Sequence, residues 1–195
     1  IGLLHAGQHA RLEMEIKRLL PSAPGSSFLW GLLGVTLQMR GDDGLAALQR
    51  AADLAPGDAD ALLNLGTALL AQGRASEAVA ALRRAVELRP ANPATTVQLG
   101  NALAHAGRDA EAEAAFRGAL GLDGDSVDAM LGLADTLSRR GCLAEAEPLC
   151  ERALVVHPQH PMPHFCKGEL RRLSGRLPAA AAESAPLIQL APAHL

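Results

Sequence analysis

From Ala59 to Asn92 the chain carries two apolar-periodic stretches parted by the polar link QGRAS. Leu62, Leu65, Leu69 and Leu70 recur at helical spacing in the first, and Ala78, Leu82, Ala85 and Val86 in the second. Each stretch has the length of an ordinary globular helix. The pattern predicts two amphipathic helices folded back on each other. Gly73 in the link suits a left-handed or open turn. Pro90 cannot continue a helix and stops the second one.

This unit recurs in phase along the chain. Link glycines fall at Gly7, Gly41, Gly73, Gly107, Gly141 and Gly175, in steps of 34, 32, 34, 34 and 34 residues. Seven positions earlier run Gly34, Gly66, Gly100, Ala134 and Gly168; five positions later run Ala78, Ala112, Ala146 and Ala180. Pro24, Pro56, Pro90, Gly124, Pro158 and Pro192 close the units. The small residues fall where two helices of a hairpin cross, so the backbones can approach closely. One hairpin cannot bury its apolar face alone, and self-similarity at this period predicts stacked hairpins. No stretch alternates with period two, so no strand is expected. The reading is all-α: a single solenoid over residues 1–195, with a partial unit at 1–26 and full units starting near 27, 59, 93, 127 and 161.

Departures from the pattern carry expectations of their own. The first full unit is two residues short, with MRGDDGLAAL where its neighbour has AQGRASEAVAAL, which predicts a tighter turn between its helices. Gly124 in place of proline predicts a looser link from Leu122 to Ser126. Pro148 falls early in a second helix, where it is tolerated or kinks mildly; Pro186 falls late in the last one and bends or ends it.

The unit resembles the tetratricopeptide repeat, whose signature is W-x2-L-G-x2-Y, then A-x3-F, then P. Trp30, Leu33, Gly34 and Leu37 follow the first part, with Leu37 in place of Tyr, and Ala112 with Phe116 follow the second. The resemblance implies a right-handed superhelical solenoid of antiparallel helix hairpins, whose first helices line a concave groove. It also implies a non-catalytic module that docks a protein or peptide segment there. Carried over position by position, the partner-binding residues are Asn64, Thr67, Gln98, Asn101, His105, Asp135, Arg139, Glu169 and Arg172. Gln38, Asp128 and Ser138 share that face with the apolar Leu63, Val97, Leu131 and Phe165. Side-chain amides both donate and accept, which suits an extended peptide backbone.

The repeat style is also similar to the segments that precede bacterial glycosyltransferases of the O-linked N-acetylglucosamine transferase type, and some bacterial sulfotransferases. That resemblance implies an alternative, a substrate-recruiting region whose catalytic domain lies outside this chain. A stand-alone assembly scaffold is a further alternative. The asparagine ladder of those transferases is kept only at Asn64; Leu32, Gln98, Gly132 and Cys166 hold the other positions. The carboxylate clamp of chaperone-tail-binding relatives is not apparent.

Composition narrows the partners. Apolar residues make up 49% and charged residues 20%, while aromatics are 2% and Tyr is absent, so the core is built from Leu, Ala and Val. The net charge of -3, with signs mixed, gives no nucleic-acid footprint. Arg83, Arg84 and Arg89 read as a solvated face. No stretch approaches the ~18 apolar residues of a membrane span. Of the three cysteines, Cys142 sits at a turn, Cys166 on a first helix, and Cys150 at the core position of Leu82 and Phe116, so all read as unpaired thiols in a reducing, cytoplasmic setting. His157, His160, His164 and Cys166 are metal-ligand types, but their spacing matches no zinc pattern, and neither a metal nor a cofactor is expected. Without a nucleophile and base that can be paired, no catalysis is expected either. The chain begins at Ile1 in mid-unit, which reads as a piece of a longer protein. An exposed solenoid end adds self-association to the partner expectations.

Overall fold

A computed structural model describes residues 2–159 and 161–175. The expectations placed on His160, Ala180, Pro186 and Pro192 lie outside the described residues. Among those described there are ten α-helices, a short 3-10 turn at Leu20–Ser22 and no strand. After α1 (Gly2–Leu19), first and second helices alternate. The first helices are α2 (Ser27–Met39), α4 (Ala59–Ala71), α6 (Pro93–His105), α8 (Val127–Arg139) and α10 (Pro161–Leu173). The second helices are α3 (Leu45–Leu54), α5 (Ala75–Leu88), α7 (Asp109–Leu122) and α9 (Leu143–Val156). The chain forms two compact units that meet in sequence at Ala91 and Asn92, so the first holds α1–α5 and the second α6–α10. None of the described helices is long and apolar enough to cross a membrane.

Each hairpin turn is made by the same local chemistry. Gly73 has φ +73°, its N–H donates to Leu70 O at 2.9 Å, and the next N–H, of Arg74, reaches back to Leu69 O at 2.9 Å. That pair of bonds satisfies carbonyls the helix end leaves open, and the left-handed residue between them favours glycine. Gly41, Gly107 and Gly141 repeat it with φ between +71° and +83°. Gly7 does not belong with them: it lies within the helical stretch of α1 and is not in the left-handed region. At the other end of each unit, side chains of Ser26, Asp58, Asn92 and Ser126 accept from backbone N–H groups of the first turn.

Two expectations about links are corrected. In the first full unit the turn is not tighter. Residues 40–44 join its helices, against residues 72–74 in the next unit, and the deletion is taken from α3, which has 10 residues where α5 has 14. Asp43 marks where α3 begins: its carboxylate accepts from Leu45 N–H at 2.9 Å, the same two-residue bond by which Asp58 opens α4. Gly44 then passes so close to the carbonyl of Gly34 that a Cβ there would lie 2.2 Å from the oxygen. The Gly124 link is not looser either. Arg152 donates to Gly124 O at 2.6 Å, and the link from Asp123 to Ser126 has the same four-residue length as that from Arg89 to Asn92. Pro148 sits within a continuous α9.

The small-residue ladders are the crossing points of the hairpins. A Cβ on Gly34 would lie 2.5 Å from Leu48 Cγ, on Gly66 2.5 Å from Leu82 Cγ, and on Gly100 2.7 Å from the Phe116 ring. Ala78, Ala112 and Ala146 are fully buried on the second helices. In the first unit Ile16, Leu20, Leu33 and Ala47 form a cluster under Leu29, Trp30, Leu32 and Leu37. The Trp30 indole N–H donates to Pro24 O at 2.9 Å, tying that helix to the turn before it.

Candidate functional site

In both units the first helices leave hollows between them, and the amides expected to bind a partner lie along these. In the first unit, α2 and α4 enclose about 330 Å³ lined by Phe28, Leu32, Val35, Asp60 and Asn64. The half-buried Asn64 amide takes no hydrogen-bond partner among the described residues. Thr67 is exposed, but its hydroxyl donates to Leu63 O at 2.9 Å, so its proton is used within its own helix. Asp60 is held by Arg89 at 2.6 Å.

The second unit carries more of the expected set. Gln98 lines a small hollow of about 140 Å³ with Val97, Ser126 and Asp128. Asn101, His105, Asp135 and Arg139 surround another of about 200 Å³, floored by Phe116 and Gly132. Glu169 borders a third of about 370 Å³, lined by Leu131, Met162, Phe165, Cys166 and Leu173. Asp135 belongs to the last two, which are therefore contiguous. Gly132 stands at the position held by Asn64 and Gln98 in other repeats, and a Cβ there would lie 2.4 Å from the Phe116 ring. The ring thus occupies the space a side chain would need, and the hollow opens above it. Phe116 and Gly132 were not expected at the site, although their constant spacing within the repeat placed them opposite one another.

The charges on this face largely answer each other. Arg139 donates to Asp109 at 3.0 and 3.2 Å and also to Asp135. Burial opposes its charge, but the hydrogen bond to Asp109 and the field of both carboxylates outweigh it and raise its pKa above the ordinary value. Arg172 donates to Glu169 at 2.8 and 3.0 Å, which raises its pKa likewise. His105 Nδ1–H donates to Asn101 O at 2.8 Å, leaving Nε2 as the open ring nitrogen. The amides of Gln98 and Asn101, like that of Asn64, take no partner among the described residues.

The cysteines depart from expectation. Cys150 is a buried core residue as expected, but it is joined to Cys166 in a disulfide with Cα atoms 6.3 Å apart. The physical reason lies in the repeat: positions 116 and 132 face each other between α7 and α8, and 150 and 166 are their counterparts between α9 and α10. Cys142 is a free thiol. His164 Nε2 bonds to Pro158 O at 3.0 Å within the local turn, and no three ligand-type side chains gather among the described residues.

Comparison with known proteins agrees with this architecture. Models described as tetratricopeptide repeat match residues 39–93, 69–118 and 103–164. No curated protein matches the chain. Among solved structures, PilF of Pseudomonas aeruginosa is 22% identical with a TM-score of 0.76, over 99% of this chain and 90% of that one. MamA from Desulfovibrio magneticus RS-1 is 18% identical with a TM-score of 0.72, over 84% and 94%. YrrB, described as a TPR protein with an unusual peptide-binding site, is 17% identical with a TM-score of 0.67, over 92% and 93%. Identities this low speak to the fold alone. With residues 39–164 matched, well over half its length, and all-α hairpins throughout the described residues, the chain belongs to the tetratricopeptide-repeat family.

Proposed function

We propose that the protein is a non-catalytic interaction module that holds an extended protein or peptide segment along the faces of its first helices. The observation that carries this reading is the set of unpartnered amides of Asn64, Gln98 and Asn101, placed beside hollows of mixed polar and apolar lining. Amides with both donor and acceptor capacity match a peptide backbone, and the hollows suit its side chains. Asp60, Asp128, Asp135 and Glu169 lie on the same faces, which disfavours phosphate and so nucleic acid. The description of YrrB as a peptide-binding repeat protein accords with this reading.

The test begins with dodecapeptides selected from a random display library on the protein. Replacing Asn64, Gln98 and Asn101 together by Ala should weaken the selected peptide by about 1–3 kcal/mol, because each lost bond nets only about 0.5–1.5 and such losses often do not add. Arg83→Ala with Arg84→Ala, on α5, should leave affinity unchanged. Circular dichroism should show both variants folded. Loss of binding in the α5 variant with retention in the amide variant would place the ligand elsewhere.

A further inference from the structure

We propose that the Cys150–Cys166 bridge is a thiol–disulfide exchange site, entered from the hollow between α8 and α10, whose state sets how firmly α10 is held. The proposal goes beyond peptide binding and does not depend on it. Cys150 on α9 is fully buried, whereas Cys166 on α10 is half-buried and lines the hollow beside Leu131, Phe165 and Glu169. An attacking thiolate therefore meets Cys166 Sγ first. The bridge is built into the repeat, since its two positions are the counterparts of Phe116 and Gly132, which touch across the preceding pair of helices. One pair fills that contact with a ring against a glycine; the next closes it with a covalent bond.

Other contacts also hold α10 within its unit. Leu170 and Pro163 are buried in it, and Lys167 reaches Glu151 on α9 at 3.3 Å, but Met162, Phe165 and Leu173 are each about half exposed. The covalent link adds to these contacts a direct cross-link between α9 and α10. In the exchange, a dithiol reductant supplies the electrons. Its thiolate attacks Cys166 Sγ, a mixed disulfide forms, and Cys150 leaves as a thiolate that takes up a proton. The second thiol of the reductant then displaces Cys166, also protonated on release, and the reductant departs as its own disulfide.

Two measurements on the ligand-free protein test this, in a Cys142→Ser background that removes the third thiol. Adding Cys150→Ala leaves Cys166 alone, and adding Cys166→Ala leaves Cys150 alone. With oxidised glutathione as the probe, Cys166 should form the mixed disulfide at least about tenfold faster than Cys150, given its access. An equal or faster rate at Cys150 would overturn the entry route. Next, hydrogen exchange is followed by mass spectrometry on the Cys142→Ser protein with and without dithiothreitol. Amides of α10 should exchange on the order of a hundredfold faster once the bridge is reduced, with those of α6 and α8 unchanged. Exchange in α10 that ignores the reductant would overturn the proposal, and the Cys150→Ala protein should reproduce the reduced pattern without any reductant.

Discussion

A single missing methyl decides the packing at Gly66. Its Cα faces Leu82, and any side chain there would have to displace a residue that is itself fully buried. Gly66→Leu should therefore destabilise the protein by about 1–3 kcal/mol or more, read as a lower urea midpoint, since close-packed interiors give little. Gly107 is constrained differently. Nothing crowds it, but its φ of +71° places it where an L side chain is strained, so Gly107→Ala should cost about 1–2 kcal/mol. Both roles were legible in the sequence, because each ladder repeats in phase and only glycine or alanine fills the crossing positions between the helices. Gly7 was misread for a related reason: phase marks a position in the repeat, but the backbone at Gly7 is helical rather than left-handed. The Cys150–Cys166 bridge was missed because cysteines were weighed one at a time, whereas their 16-residue separation has meaning only beside Phe116 and Gly132.

Among the elements, the capping of α6 isolates one local contribution. Asn92 accepts from Thr95 N–H at 3.2 Å, and Pro93 follows at the first helical position, where no N–H is needed. Asn92→Ala should lose about 1 kcal/mol, with Asn92→Ser nearly neutral; thermal melting of the two variants side by side checks this. Helix positions were readable from apolar spacing, yet the fate of the short unit was not. Whether a two-residue deletion shortens a turn or a helix depends on where α3 starts, which the Asp43 carboxylate bond to Leu45 N–H fixes, and apolar spacing does not report on it. The site was legible in part. Asn101, His105, Asp135 and Arg139 do share one hollow, but the pairing of Arg139 with Asp109 required knowing where α7 begins.

At the scale of the whole molecule, ion pairs make stability depend on acidity. Glu13 is held below its ordinary 4.5 chiefly by the hydrogen bond from Lys17, aided by the charges of Lys17 and Arg40, and Glu77 is held below it by Arg74. A carboxylate with a lowered folded pKa contributes stability above its unfolded value and loses it as pH falls through the folded one. The melting temperature should therefore decline as pH drops below about 4.5, less steeply in Glu13→Gln and less steeply in 1 M salt. A different property follows from the helix lengths. Each of the first helices α2, α4, α6, α8 and α10 has 13 residues, while the second helices have either 10 or 14. The two residues missing from the first full unit were thus taken from the helix that does not carry the candidate site. Among the described residues the one change of length falls on a second helix, while every first helix keeps the same gauge, so the candidate-site positions keep their spacing within each helix.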